Sequence, residues 1–86
     1  MSTRTKDIRI GSLILPGKPS LARYLRDARI KRGLSISEVA EQIGVSTSSI
    51  YFWETAHCRP RDVNLAALCR LLKLPIRATR AMAEAQ

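Results

Sequence analysis

The sequence has few residues of the kinds that build disulfide frameworks, metal sites and catalytic centres. Among 86 residues there are two cysteines and one histidine. Cys58 and Cys69 lie in different predicted elements, so we expect two reduced thiols, with Cys69 in the core and Cys58 in a loop. His57 and the two cysteines have none of the usual metal-ligand spacings, and no carboxylate pair accompanies the histidine as a general base. We therefore predict no enzyme, no metal and no cofactor.

Long hydrophobic runs are also missing from the chain. No stretch approaches the roughly 18 apolar residues that a membrane span requires, and the N-terminus has no hydrophobic segment of signal-peptide length. These absences predict that the protein has no membrane partner and lies in the cytoplasm.

Acidic residues are scarce, since seven Asp and Glu stand against fifteen Lys and Arg and give a net charge of +8. A basic chain of this length favours a polyanion partner, most often nucleic acid. The length allows one small domain, which buries only about 60% of the surface of its unfolded chain. Such a domain is marginally stable alone, so a partner subunit is expected.

Residues 1–19 read as a basic N-terminal arm, with four Lys or Arg side chains, two glycines and two prolines. Within the arm, the apolar run Ile8–Leu15 is rich in β-branched residues and is interrupted by Gly11. The run is either a short strand, paired with the same strand of a second subunit, or part of a disordered basic tail. The sequence does not decide between these two alternatives.

From Ser20 onward the apolar residues recur at intervals of three and four, which is typical of amphipathic helices. We predict an all-α domain over residues 20–86, with five short helices that begin at Ser20, Ser35, Ser46, Asp62 and Pro75. Ser35 and Glu38 have the spacing of a capping box. The residues predicted to face inward are Leu21, Tyr24, Leu25, Ala28, Val39, Ala40, Ile43, Ile50, Trp53, Leu65, Leu68, Cys69 and Leu72.

The most specific signal lies in residues 33–54, GLSISEVAEQIGVSTSSIYFWE. The second predicted helix ends at Gly44, and only Val45 separates this glycine from the cap of the next helix. So short a turn holds two helices nearly perpendicular, and the small Ala40 lets them approach closely. This arrangement predicts a helix-turn-helix core over residues 35–55, whose second helix enters the major groove of DNA.

Aromatic residues make up only 5% of the chain, yet three of the four stand side by side at positions 51–53. A helix cannot bury three consecutive side chains against one surface, so at least one ring faces something other than the core. We expect Ile50 and Trp53 to face inward and Tyr51 and Phe52 to face outward. Phe52 can then pack on a thymine methyl group, and the Tyr51 hydroxyl can reach a phosphate.

The pattern GLS…VA…IGVS…I..WE resembles that of the Cro/C1-type (XRE-like) helix-turn-helix regulators, a family that includes phage repressors and the controller proteins of restriction-modification systems. The resemblance covers residues 21–74. It implies a compact five-helix, lambda-repressor-like DNA-binding domain that binds a pseudo-palindromic operator as a homodimer. It also implies a bacterial or phage transcription regulator, associated with the nucleoid, that controls its own gene. The dimer contact could come from the N-terminal strand or from the fourth and fifth helices, through Leu71, Leu74, Ile76 and Met82.

The resemblance also assigns roles to individual residues. It places Thr47, Ser48 and Phe52 at the base edges, and Arg29 and Glu54 in a structural ion pair between the first and third helices. It places Ser46 and Ser49 where a hydroxyl either bonds a phosphate or caps the helix. It places His57, Arg59 and Arg61 in the following loop, where relatives contact the DNA backbone.

Two positions depart from the family pattern. Ile36 stands where relatives often carry a phosphate-binding Gln, and Ala56 stands where they often have a turn glycine. Ile36, Tyr51 and Phe52 would form an apolar patch on the DNA-facing side, and exposed apolar clusters on small domains more often mark protein contacts. A second hypothesis is therefore a protein-binding adaptor, such as an antiactivator or an antitoxin-like partner, that docks through this patch. The basic residues around the motif favour double-stranded DNA, whereas the lack of bidentate base-reading side chains on the recognition helix favours protein.

Overall fold

The computed structural model describes residues 20–85, which form five α-helices. They are α1 (Leu21–Lys31), α2 (Ile36–Ile43), α3 (Thr47–Glu54), α4 (Asp62–Leu72) and α5 (Ile76–Ala85). No strand occurs within these residues, so the predicted all-α five-helix fold is confirmed. The predicted N-terminal arm and its alternative short strand lie outside the described residues.

The helices pack around one apolar core to which α1, α2, α3 and α4 all contribute. α5 closes the domain by packing against α4 and α1. Full burial of one Leu, Ile or Val side chain contributes about 1.5–3 kcal/mol, so this core supplies most of the favourable free energy of folding. Tyr24, Ala28 and Ile43 are half-buried and pack against it. The buried apolar residues are Leu21, Ala22, Leu25, Val39, Ala40, Ile50, Trp53, Leu65, Leu68, Cys69 and Leu72.

Each of the first three helices begins with a serine cap, as the sequence predicts. Ser35 makes a complete capping box, because its Oγ accepts from the Glu38 amide at 3.0 Å and the Glu38 carboxylate accepts from the Ser35 amide at 2.7 Å. Ser20 and Ser46 each accept from the amide three residues further on, at 3.1 Å in both cases. Each cap contributes about 1 kcal/mol, and together they define where α1, α2 and α3 start.

The prediction that Asp62 caps α4 is wrong. The N-cap is Arg61, whose side chain makes no capping hydrogen bond, and Asp62 is the first residue of the helix. The Asp62 carboxylate instead accepts two hydrogen bonds from Arg80 on α5, at 2.9 and 3.0 Å. These bonds hold the pKa of Asp62 below its ordinary value, so the pair stabilises the fold above the ordinary aspartate pKa and this contribution is lost as the pH falls.

The sequence predicts the burial of Cys69 on α4 but not the burial of Thr79 on α5. Cys69 is buried on α4 while Cys58 is exposed before it, and both are free thiols, as predicted. Thr79 on α5 is fully buried, which its polar side chain does not suggest. Its hydroxyl donates to the carbonyl of Pro75 at 2.7 Å, so the buried polar group is satisfied within its own helix turn.

The turns on either side of α3 use the left-handed region of the backbone. Gly44, which ends α2, has φ 77°, a conformation that glycine adopts without a steric cost. After α3 the left-handed residue is Ala56, with φ 63°. The His57 amide there donates to the carbonyl of Phe52 at 2.9 Å, the long hydrogen bond of a Schellman cap. The cap therefore requires of Ala56 a conformation that strains any residue with a Cβ atom.

α3 is held against α1 by an ion pair between Arg29 and Glu54. The Arg29 Nε donates to Oε2 at 2.7 Å and its Nη2 to Oε1 at 3.0 Å, while Nη1 donates to the carbonyl of Leu34 at 2.8 Å. Only 12% of the Arg29 side chain and 7% of the Glu54 side chain are exposed. The hydrogen bonds to Glu54 raise the pKa of Arg29 above its ordinary value. A bidentate pair of this kind sets the orientation of α3 as well as its distance from α1.

Replacing Ala56 with glycine should stabilise the protein. Ala56→Gly relieves a left-handed strain of about 1–2 kcal/mol, of which the greater freedom of glycine in the unfolded chain offsets about 0.4–1 kcal/mol. We expect the free energy of unfolding in urea to rise by about 0.5–1 kcal/mol. The matched control is Ala81→Gly on the exposed side of α5, which should lower it by about 1 kcal/mol. A loss of stability in Ala56→Gly would contradict the strain assigned to this turn.

Neutralising Glu54 should destabilise the protein although the shape of the side chain is kept. Glu54→Gln leaves the Arg29 charge buried without its counter-charge, and we expect a loss of about 1–3 kcal/mol in urea denaturation. The control Glu41→Gln, on the exposed surface of α2, should change the free energy of unfolding by less than about 0.5 kcal/mol. Equal effects of the two variants would mean that the ion pair does not hold α3 in place.

Candidate nucleic-acid interface

α3 divides its side chains between the core and the surface. Ile50 and Trp53 are 1% and 7% exposed and face the core, as predicted, whereas Tyr51 and Phe52 are 52% and 43% exposed. The centroids of the two exposed rings lie 6.1 Å apart, with the ring planes tilted by 57°. The structure thus brings two of the proposed DNA-contacting residues together as a pair on the surface of α3.

The start of α3 presents four hydroxyl groups. Thr47 and Ser48 are exposed in its first turn. The hydroxyls of Ser46 and Ser49 lie 3.0 Å apart and share one hydrogen bond, and Ser46 also accepts from the Ser49 amide. The shared bond uses only one of their two hydroxyl hydrogens, so the other remains free to donate to a phosphate.

The loop after α3 carries three residues that are predicted to contact the DNA backbone, and each has different surroundings in the structure. The His57 ring lies 5.7 Å from the Phe52 ring, so it extends the exposed aromatic surface of α3. Arg59 donates to the carbonyl of Ala83 in the last turn of α5, so its guanidinium is drawn toward that helix. Arg61 is exposed at the start of α4.

The outer face of α3 carries no charged side chain, whereas exposed cations occur on the elements before and after the motif. Residues 33–58 contain three glutamates and no Lys or Arg. One of these glutamates, Glu54, is already paired with Arg29. Cationic side chains are exposed on α1, in the turn after it and at the start of α4, namely Arg23, Arg26, Lys31, Arg32 and Arg61. A helix of this kind could enter a groove while the flanking cations contact phosphates.

Ile36 contributes less to the surface than the sequence suggests. It is the first residue of α2, is half-buried and packs against the core. Tyr51 and Phe52 therefore supply the exposed aromatic surface of the proposed patch.

Thr55 belongs to this surface and is missed by sequence reasoning. It is the C-cap of α3, and its hydroxyl lies 2.8 Å from both the carbonyl oxygen of Tyr51 and the Nδ1 atom of His57. The only sequence signal is the tendency of threonine to bond the carbonyl four residues earlier, which does not indicate the contact with His57.

The described residues contain neither a metal-binding cluster nor a membrane-spanning helix. Within residues 20–85, no group of three His, Cys, Asp or Glu side chains is placed to hold a metal ion. None of the helices in this part of the chain is both long enough and apolar enough to cross a membrane.

Comparisons with known proteins agree with this architecture. The P22 c2 repressor, in a complex with synthetic operator 9T and Tl⁺, superposes with a TM-score of 0.68 at 24% identity, over 72% of this chain and 94% of that chain. SinR, a master regulator for biofilm formation in a complex with DNA, gives a TM-score of 0.64 at 23% identity, over 69% and 95%. At these identities the likeness shows the fold alone.

None of the curated protein sequences compared with the chain matches it. The sequence model of one family, described as the helix-turn-helix domain, matches residues 20–83. This match spans all of α1 to α4 and most of α5, and it confirms the predicted resemblance. The chain therefore belongs to the helix-turn-helix domain family.

Proposed function

We propose that the protein is a transcriptional regulator that binds a specific sequence of double-stranded DNA. The observation that carries the proposal is the outer face of α3, where Thr47, Ser48 and Phe52 are exposed on a helix whose one charged residue is already paired. An α-helix with its side chains is about 10–12 Å across, and the major groove is about 12 Å wide. The exposed cations on α1 and at Arg61 would hold the phosphates on either side.

The chemistry of this face suggests how it would read DNA. A single hydroxyl on Thr47 or Ser48 bonds a base edge without the bidentate geometry that makes Arg or Gln selective. Phe52 offers only an apolar contact, which fits a thymine methyl group. Sequence selection by these residues would be modest for each base pair, so the shape and deformability of the DNA would supply part of the specificity.

The proposal includes a homodimer on a pseudo-palindromic operator. Two copies would place their α3 helices in successive major grooves, about 34 Å apart. Candidate contacts between the copies are the half-buried residues Leu71 and Leu74 at the end of α4 and Ile76 and Met82 on α5, each of which leaves part of an apolar side chain uncovered. The P22 c2 repressor and SinR, which share the fold, were both crystallised with DNA, and this supports the DNA-binding role. An operator beside the gene of the protein itself would make the regulator autoregulatory.

A protein-binding adaptor is the second candidate, and one observation favours it. Tyr51 and Phe52 lie side by side and are 52% and 43% exposed, and aromatic residues are enriched at protein interfaces. In this alternative the same face of α3 would dock on a protein, and DNA affinity would be weak and unspecific.

Selection of DNA from a random pool should distinguish the two candidates. The purified protein should enrich an inverted repeat, and its affinity for that sequence should fall steeply with salt because phosphate contacts release counterions. With six contacts, a rise from 50 to 200 mM salt would weaken binding about 10³-fold. No enriched sequence together with a shallow salt dependence would favour the adaptor, and enrichment of a single half-site would contradict the dimer.

Single substitutions should separate base contacts from backbone contacts. Thr47→Ala and Phe52→Ala should change which sequences are enriched. Arg61→Ala should instead lower the affinity for all DNA sequences alike, and it should reduce the slope of log affinity against log salt concentration by about 1. The matched control is Arg70→Ala, which removes an exposed arginine from the opposite end of α4 and should leave the slope nearly unchanged. Arg61 is a clearer test than Arg59, whose side chain also contacts α5. An unchanged sequence preference in Thr47→Ala and Phe52→Ala would mean that the outer face of α3 does not read bases.

A further inference from the structure

The Thr55 hydroxyl determines which nitrogen of His57 carries a hydrogen. Thr55 Oγ1 lies 2.8 Å from the carbonyl oxygen of Tyr51 and 3.4 Å from that of Phe52, and a carbonyl oxygen can only accept. The single hydroxyl hydrogen must therefore point at these carbonyls. The imidazole Nδ1, also 2.8 Å from Oγ1, then meets a lone pair of the hydroxyl and must itself be the donor.

This assignment leaves the other ring nitrogen free. With a hydrogen on Nδ1, the neutral ring presents Nε2 as a bare acceptor on the side away from Thr55. When the ring gains a proton, the proton binds Nε2, and none of the hydrogen bonds made by Nδ1 has to change. The ring also contacts the Phe52 ring, with the two ring centroids 5.7 Å apart and the ring planes tilted by 46°. The direction of the imidazole is therefore set from two sides.

Among the described residues, the depression beside His57 is lined by no group that could act as a counter-charge to the protonated ring. The depression that His57 lines is formed by residues of α1, α3 and the loop before α4. α1 and α3 contribute only apolar side chains to this wall, and its other titratable or charged groups are Cys58 and Arg59. No carboxylate belongs to this wall among the described residues, which are Leu21, Ala22, Trp53, Ala56, His57, Cys58, Arg59 and Pro60.

We propose that Thr55 is a positioning residue that aims Nε2 of His57 at a DNA phosphate, so that DNA binding is coupled to the uptake of one proton. This inference rests on the proposed DNA-binding function. A phosphate oxygen accepts from the protonated Nε2 and supplies the counter-charge that the wall lacks. A neutral Nε2 has no hydrogen to donate and faces the phosphate with a lone pair. DNA affinity should therefore rise as the pH falls through the range in which imidazole becomes charged.

The tautomer can be tested without DNA. The chain has one histidine, so the imidazole nitrogens give a single set of NMR signals that needs no further assignment. Nitrogen-15 spectra of the free protein above pH 7.5 should show the hydrogen on Nδ1. In Thr55→Val, which keeps the branched shape and removes the hydroxyl, the signals should shift toward the mixture of tautomers of a free histidine. A hydrogen on Nε2 in the unsubstituted protein would overturn the proposal and leave the proposed DNA-binding function intact.

The coupling is tested by measuring the dissociation constant for the selected DNA from pH 5.5 to 8.5 at constant salt. Affinity should rise toward low pH by up to about tenfold per pH unit, the limit for one linked proton. His57→Asn should flatten this dependence, because the asparagine amide can still donate to Thr55 but does not titrate. Thr55→Val should reduce the pH dependence of DNA affinity, whereas Thr55→Ser, which keeps the hydroxyl, should retain it. Cys58→Ser, the control for the neighbouring thiol, should leave it unchanged.

The outcomes separate the two proposals. A pH dependence that persists in His57→Asn, or an unchanged profile in Thr55→Val with a folded circular dichroism spectrum, would overturn the role of these residues while DNA binding stands. Absence of specific DNA binding at every pH would overturn both proposals.

Discussion

The ion pair between Arg29 and Glu54 is the interaction on which the proposed interface depends. Glu54 is the last residue of α3, and Arg29 lies near the end of α1, so the pair joins two helices that are far apart in the sequence. Both side chains are almost completely buried, and removing two charges from water offsets much of their attraction. The main effect of the ion pair is therefore on the geometry of the two helices and not on the free energy of folding. Two parallel hydrogen bonds to Glu54 and a third to the carbonyl of Leu34 fix the guanidinium and, with it, the rotation of α3.

That rotation decides which side chains of α3 reach solvent. Ile50 and Trp53 complete the core, and the side chains on the opposite face cannot be buried because the helix has only one packed side. The run of adjacent aromatics is thereby divided, with Trp53 inside and the rings of Tyr51 and Phe52 outside. The hydroxyls of the first turn and the His57 ring lie at the two ends of this exposed face. The exposed face of α3 is therefore free of charged side chains.

The cap at the end of α3 combines a structural constraint with a chemical one. Ala56 adopts the left-handed conformation that lets the chain leave α3, and the same turn brings His57 back against Phe52. Thr55 completes the cap by bonding the carbonyl of Tyr51, and this bond is what commits its remaining lone pairs to the imidazole. Local backbone geometry thus selects the tautomer of a histidine on the candidate interface.

Much of the fold follows from the sequence because its determinants are local. Serine caps, the capping box at Ser35 and the spacing of apolar residues on each helix act within a few positions, so they define the helices and their inward faces. The sequence-based predictions are wrong or incomplete where a side chain bonds a residue distant in the sequence, or where a group can form more than one hydrogen bond. Asp62 bonds Arg80 on α5 instead of capping α4, and Arg59 reaches the carbonyl of Ala83. Helical periodicity alone therefore determines that Trp53 faces the core and that Tyr51 and Phe52 face outward. Which nitrogen of His57 carries the hydrogen was decided only by the folded structure, because it depends on where two carbonyl oxygens, one hydroxyl and the imidazole meet in space.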